Sequence, residues 1–338
     1  MLGYILPIPT LCSRFKLTLQ AHRAKTKETL MSLLIHPGFH KTGTTLLQAT
    51  IFSDERYFNN IFSHEEVSKY IVEPHDFIFD KSLVKDEIKK RRELKSNSKP
   101  DIISSEILSG TRMTGQRESR SIADRLSECT GPAKILFTIR NQKQTLIASY
   151  LQFVKRGGRK TFKQFISYKP EPGFFFFDLS QLSYHYLVEY YAKVYGEANI
   201  LVLPQEGLKE NPVEFFDQLI GFATDGRISP GIDFSGGRRI GKSPPVSGLP
   251  FLKVASHFRR SPIDNDPLFL SKPIEKVLMG LGYRWTIGDI KAKRTLEAQA
   301  RAVTGRRYAL SNTIIQRFCP FDLSGLGYDM PGQVSIMS

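Results

Sequence analysis

The sequence predicts an α/β fold with a mainly parallel central sheet, helices on both faces and a helical C-terminal part. Three observations carry this expectation. Short apolar runs of strand length recur near residues 33 to 35, 101 to 105, 133 to 139 and 199 to 203. Each leads, within a few residues or after a loop, into helix-type spacing of apolar positions. Charged residues, Lys41, Glu106 and Arg140, follow three of the runs, on the edge where open α/β sheets place their ligands.

Residues 1 to 30 stand apart from the rest of the chain. Met1 to Cys12 is apolar but broken by Pro7 and Pro9, and it is shorter than the roughly twenty apolar residues that span a bilayer. Its positive charges, Arg14, Lys16, Arg23, Lys25 and Lys27, come after the apolar stretch, the reverse of a signal peptide. These residues read as a disordered extension, or as an upstream start added to a domain that begins near Met31. The expected domain covers residues 31 to 328, with a tail at 329 to 338. Stable membrane insertion is not expected, and the expected location is cytoplasmic.

The first run, Leu33 to Ile35, enters a loop reading His-Pro-Gly-Phe-His-Lys-Thr-Gly-Thr-Thr, after which Leu46, Leu47, Ala49 and Ile51 have helical spacing. A lysine, a glycine and hydroxyls thus fall where a buried strand becomes a helix. That is a phosphate-binding position: helix N-terminal N–H groups are unpaired and partly positive, and Gly43 admits close approach of an anion. Lys41 adds a full charge. The loop lacks the Gly-x-x-x-x-Gly-Lys-Ser/Thr order of a nucleotide triphosphatase, because its lysine precedes the second glycine.

Residues 52 to 100 give weak signals: short helical pieces, a surface helix from Lys81 to Leu94 and a polar loop from Lys95 to Pro100. Asp101 to Ser105 is a buried strand ending at Glu106, with a helix from Arg117 to Cys129 behind it. Ala133 to Ile139 is the clearest strand. It ends in Arg140-Asn141, and Leu146, Ile147, Tyr150, Leu151 and Val154 announce a helix. Helices follow over Thr161 to Ile166 and Leu179 to Tyr195, the latter rich in tyrosines (184, 186, 190, 191) that read mostly as packing. The strand Asn199 to Leu203 ends at Pro204-Gln205-Glu206, where Glu206 reads as structural. Asn211-Pro212 then caps the helix Val213 to Phe222. From Leu249 the chain reads as helices with loops at Ser261 to Pro267 and Thr286 to Asp289.

Two motifs resemble a known family. The Lys-Thr-Gly-Thr-Thr loop and the segment Ile139 to Gly157 are similar to the two signatures of the sulfotransferases, bacterial carbohydrate-type members among them, and Tyr308 to Asn312 with Phe321 to Tyr328 resembles the ending of many bacterial sulfotransferases. The resemblance implies a three-layer, P-loop-like fold and 3′-phosphoadenosine 5′-phosphosulfate (PAPS) as sulfuryl donor. It implies that Lys41, Thr42, Gly43, Thr44 and Thr45 hold the 5′-phosphosulfate, that Lys41 steadies the bridging oxygen, and that Arg140 with a helix serine grips the 3′-phosphate. Bidentate arginine suits that group. The family's serine lies eight residues after its arginine, where this chain has Ala148; Ser149 is one step on, a rotation of about 100° around the helix. The acceptor hydroxyl is expected on a carbohydrate. Glu106 is the expected base, with His40 and His185 as rivals and an ion pair with Arg112 as its alternative role. Gly236 to Ser243 satisfies the triphosphatase pattern letter for letter, but no strand precedes it and Pro244-Pro245 follow. It reads as a basic loop, with Arg239, Lys242 and Ser243 as candidates to close over the nucleotide.

Composition agrees without deciding. With 338 residues, 41% of them hydrophobic and 24% charged, the chain can bury one large core or two modest ones. Its 48 Lys and Arg against 33 Asp and Glu give a net charge of +15, which favours anionic partners: nucleic acid, anionic lipid, a nucleotide or an acidic polysaccharide. The basic residues are spread along the chain, so a nucleic-acid arm is not indicated. Cys12, Cys129 and Cys319 are isolated, so reduced thiols and no metal site are expected. Two other classes stay open: a nucleotide kinase or triphosphatase, and a noncatalytic binder of anionic polymers.

Overall fold

A computed structural model describes residues 32–95, 98–167, 176–228, 243–263 and 266–332. The expected extension at 1 to 30 and most of the basic loop at 236 to 243 lie outside the described residues. Five parallel strands form one sheet: β1 (Leu33–His36), β2 (Asn59–Phe62), β3 (Asp101–Ser104), β4 (Lys134–Ile139) and β5 (Ile200–Pro204), in the order β2-β3-β1-β4-β5. Ile35 of β1 is level with Ile103 of β3 on one side and Ile135 of β4 on the other. These residues are wholly buried, as expected of a sheet covered on both faces by helices.

The strand order locates the site. From β1 the chain leaves towards β2, whereas from β4 it leaves towards β5, so the two connections diverge between neighbouring strands. Such a divergence opens a crevice beyond the strands' C-terminal ends. The loops following β1 and β4 meet there, and they carry Lys41 and Arg140.

The main helices are α1 (Thr44–Ala49), α2 (Lys81–Glu93), α3 (Ser119–Thr130), α4 (Gln142–Lys155), α5 (His185–Tyr195), α6 (Pro212–Thr224), α7 (Leu249–Ala255), α8 (Lys272–Arg284), α9 (Asp289–Thr304) and α10 (Ala309–Gln316). Asn141 caps α4 by accepting from the Lys143 N–H at 3.1 Å, and Asn211 caps α6 ahead of Pro212 in the same way. A second core, separate from that of the sheet, joins Leu146, Tyr150 and Phe153 of α4 to Leu249 and Leu252 of α7 and to Leu296 of α9. The helical C-terminal part therefore rests on the helix that follows Arg140.

Two elements differ from expectation. Strand β2 lies in the stretch read as scaffold without a strand: Asn59-Asn60 disfavours extended structure locally. Tertiary contacts supply what propensity does not, since Asn59 donates to Asp101 at 3.1 Å and Asp101 pairs with Arg92 at 2.8 Å. The helix expected over Leu179 to Tyr195 is two pieces, a 3₁₀ turn at Leu179–Leu182 and then α5, because Asp178 caps the turn and the backbone opens at Ser183.

Candidate active site

The β1–α1 loop leaves its backbone donors unpaired. Among the described residues, the N–H groups of residues 40 through 45 have no hydrogen-bond partner. Lys41 and Gly43 have φ of 68° and 93°, left-handed values that cost a lysine about 1 kcal/mol or more. Gly38 must also be glycine: a Cβ there would lie 2.6 Å from the Thr44 hydroxyl and 2.7 Å from His36 Nε2. The Thr44 hydroxyl is buried and has no partner among the described residues. Burying such a group unsatisfied costs roughly 1–3 kcal/mol, and an anion seated in the loop would remove that cost. Thr45 is exposed, free to meet a ligand from outside.

Below the loop, hydrogen bonds tie the strand ends together. His36 Nδ1 lies 2.8 Å from the Ser104 hydroxyl and its Nε2 lies 3.1 Å from the Thr138 hydroxyl, so one imidazole joins β1, β3 and β4. Burial pushes the His36 pKa down to about 3, so the ring stays neutral. Thr138 also meets the Thr42 hydroxyl at 2.8 Å, and Thr42 donates to the Phe39 carbonyl. The Thr42 side chain thus faces inward, and only its N–H is offered to a ligand.

Arg112, from the loop after β3, lies directly beneath. It is buried, forms no ion pair among the described residues, and donates to the His40 carbonyl and the Ser149 hydroxyl. Burial, with Arg140 adding to it, brings its pKa down to about 10. A buried guanidinium without a carboxylate leaves uncompensated positive charge under the loop, which favours an anion above it. Ser149 is fully buried and donates in turn to the Thr145 carbonyl. The structure places it against Arg112.

Arg140 sits where expected, after β4. Its guanidinium contacts Gln144 Oε1 at 3.2 Å through two nitrogens and reaches the Lys41 carbonyl at 3.5 Å. The turn that carries it is braced from the far end of the chain. The Asn141 N–H donates to Glu206 at 3.2 Å, Tyr328 donates to the same carboxylate at 2.8 Å, and the Asn141 amide donates to the Gly327 carbonyl at 2.6 Å. Gln142 meets Asn312 at 2.5 Å. The C-terminal motif therefore holds the Arg140 turn in place, and Glu206 is structural.

Glu106 caps the edge at the end of β3, partly exposed. Its carboxylate makes no hydrogen bond or ion pair among the described residues, Arg112 included, although its charge is felt by both Lys41 and Arg112. The Lys41 side chain reaches solvent. Partial burial, then Arg112, Lys155 and Arg156, press its pKa down to about 8, with Glu106 opposing. His40 Nε2 lies 2.8 Å from the Gly110 carbonyl, and burial together with Arg112 drives its pKa down to about 3, which makes it a poor base near neutrality. His185 opens α5, with its backbone N–H on the Ser311 hydroxyl at 3.4 Å and its ring against Tyr186, and burial lowers its pKa too.

Two residues at this edge lie outside the expected ligand set: Arg112, read from the sequence only as a possible partner of Glu106, and Gln205. A Cβ on Gly43 would lie 3.3 Å from Gln205 Nε2, so that amide flanks the loop, and its carbonyl oxygen is buried without a partner. Both residues follow strands at the same edge, and only the strand order brings them beside Lys41.

Two solved structures are similar to this chain. A sulfotransferase from Alicyclobacillus acidocaldarius is 15% identical, covering 59% of this chain and 83% of its own, with a TM-score of 0.41. A mouse sulfotransferase complexed with PAP is 14% identical, covering 86% of this chain and 89% of its own, with a TM-score of 0.31. No family model matches the chain, and no curated protein matches it. Likeness at this level bears on neither substrate nor chemistry, which only the residues of the site can carry.

Proposed function

We propose that the protein is a sulfotransferase that moves a sulfuryl group from PAPS to an acceptor hydroxyl, with a carbohydrate as the acceptor class. The observation that carries this reading is the convergence, at one crevice, of an unpartnered N–H cradle with Lys41, Arg140 across the loop, and an unpaired Glu106 carboxylate. The residues fit the donor. N–H groups 40 through 45 and the orphaned Thr44 hydroxyl would hold its 5′-phosphate, and Arg140 its 3′-phosphate. Thr42 and Gly43 contribute backbone, Thr45 a hydroxyl from the rim, and Ser149 acts through Arg112.

In-line displacement forms a bond from the acceptor oxygen to sulfur while the bond from sulfur to the bridging oxygen breaks. Lys41, protonated below pH 8, stabilises the charge that collects on the departing phosphate. Glu106 takes the acceptor's proton. The positive field of Arg112 beneath the loop is fixed before the donor arrives, so no reorganisation is needed as charge moves.

Thermal stabilisation tests the reading. Adenosine 3′,5′-bisphosphate at a hundred times its dissociation constant adds about 2.7 kcal/mol of stability. Stabilisation by magnesium ATP but not by the bisphosphate would make the loop a kinase or triphosphatase site. Stabilisation only by heparin-like or nucleic-acid polymers would make the protein a polymer binder.

A further inference from the structure

In the C-terminal part, α8 packs on α7 through Gly282, Met279 and Tyr283 but leaves most of its length exposed. Ile274, Val277 and Leu281 recur at i, i+3 and i+7 on one face, and all three are exposed. The ridge is extended at both ends. Leu268, Phe269 and Leu270 precede it, Leu268 being 75% exposed, and Trp285, Ile287 and Ile290 follow it, with both isoleucines 73% exposed. Single exposed apolar residues need no explanation, but a run of them over one helix and both its flanks marks an interaction surface.

Charge selects the partner. Residues 268 to 294 hold six basic residues (272, 276, 284, 291, 293, 294) against two acids. Both acids are already paired, Glu275 with Arg259 at 3.6 Å and Asp289 with Lys293 at 2.7 Å. Lys272, Lys276, Arg284, Lys291 and Arg294 are exposed and in no ion pair among the described residues. A second copy of this ridge would set these like charges against themselves. An apolar stripe bordered by unpaired lysine and arginine, with a tryptophan at its end, matches the interface of an anionic bilayer.

We propose that α8 and its two flanks form a peripheral docking surface for an anionic membrane. The apolar side chains enter the boundary between headgroups and acyl chains, and the free lysines and arginines face the lipid phosphates. No helix among the described residues is long and apolar enough to cross a membrane.

The chain has one tryptophan, and it lies on the ridge, so its fluorescence reports this surface alone. Full-length protein is mixed with vesicles of phosphatidylcholine, or of phosphatidylcholine and phosphatidylglycerol in equal parts. Sedimentation with the mixed vesicles, a blue shift of Trp285 emission and weakening with added salt are expected. Lys276→Gln with Arg284→Gln should weaken binding about twenty-fivefold, at roughly fivefold per basic residue. Val277→Ser with Leu281→Ser, at exposed positions that leave folding intact, should abolish the blue shift. Absence of binding to the mixed vesicles overturns the proposal, as does binding that neither double variant alters. A concentration-dependent dimer that Val277→Ser/Leu281→Ser dissolves, without vesicle binding, would give the ridge to a second copy instead.

Discussion

Arg112 donates its buried guanidinium N–H to the hydroxyl of Ser149, thirty-seven residues away on α4, and with its other arm holds the carbonyl of His40. The serine hydroxyl is thereby engaged by Arg112 and, through it, tied to the loop. Ser149→Ala leaves one arm of a buried charge unsatisfied, and hydrogen bonds to charged groups contribute about 1.5–3 kcal/mol. Denaturant unfolding should show a loss of that size. Affinity for adenosine 3′,5′-bisphosphate and for adenosine 5′-phosphate should fall by the same factor. A loss confined to the bisphosphate would put the hydroxyl on the 3′-phosphate after all.

Arg140 is oriented by Gln144 and touches the Lys41 carbonyl. If it binds the 3′-phosphate, Arg140→Ala costs bisphosphate affinity far more than monophosphate affinity, because only the former has that group. Calorimetric titration with the two ligands separates the cases. Equal losses would assign Arg140 to shaping the loop.

The legible part of the site is local. The Lys41 loop and the Arg140 turn announce themselves because a strand, a turn and a helix start are contiguous in the chain, and their residue types suit an anion. Ser149 is buried against Arg112, and the one-residue offset from the family's serine, about 100° of helix rotation, is visible in the sequence while that contact is not. Arg112 and Gln205 reach the site only through strand order, which no local pattern encodes. The strand at Asn59–Phe62 is hidden because its pairing with Asp101 outweighs poor intrinsic propensity.

Lys41 sets a pH dependence. Its pKa in the free protein is near 8, and a bound anion raises it, so binding takes up a proton between those two values. Affinity for adenosine 3′,5′-bisphosphate is therefore full below pH 8 and declines as pH rises through 8. Lys41→Arg, which stays charged, should flatten that decline. Lys41→Ala should lower turnover by about two to three orders of magnitude, the scale for removing one preorganised donor. Near-normal turnover in folded Lys41→Ala protein would remove the lysine from the chemistry.

The brace on the Arg140 turn is open to the same kind of test. Tyr328→Phe deletes the 2.8 Å hydrogen bond to the buried Glu206 carboxylate and leaves the other Glu206 contact, to the Asn141 N–H, in place. A stability loss of about 1.5–3 kcal/mol is expected in denaturant unfolding, with weaker bisphosphate binding as the turn loosens. Unchanged bisphosphate affinity despite that stability loss would show that the turn holds its shape unaided.

Glu106 is the proposed base. It opens the 3₁₀ turn Glu106–Ser109 two residues past β3, on the edge that carries Lys41 and Arg140, and among the described residues no ion pair with Arg112 occupies its carboxylate. The histidines compete poorly. His40 is committed to the Gly110 carbonyl with a pKa near 3, and His185 is depressed by burial beside α10. Glu106→Gln preserves size and polarity but removes proton acceptance, so turnover should fall by about a hundredfold to ten-thousandfold. Bisphosphate binding should scarcely change, since the carboxylate contributes nothing to the N–H cradle. A histidine base would instead leave Glu106→Gln active. Turnover and nucleotide affinity falling together would reduce Glu106 to a support of the loop, because a base acts on the acceptor's proton and not on the donor's phosphates.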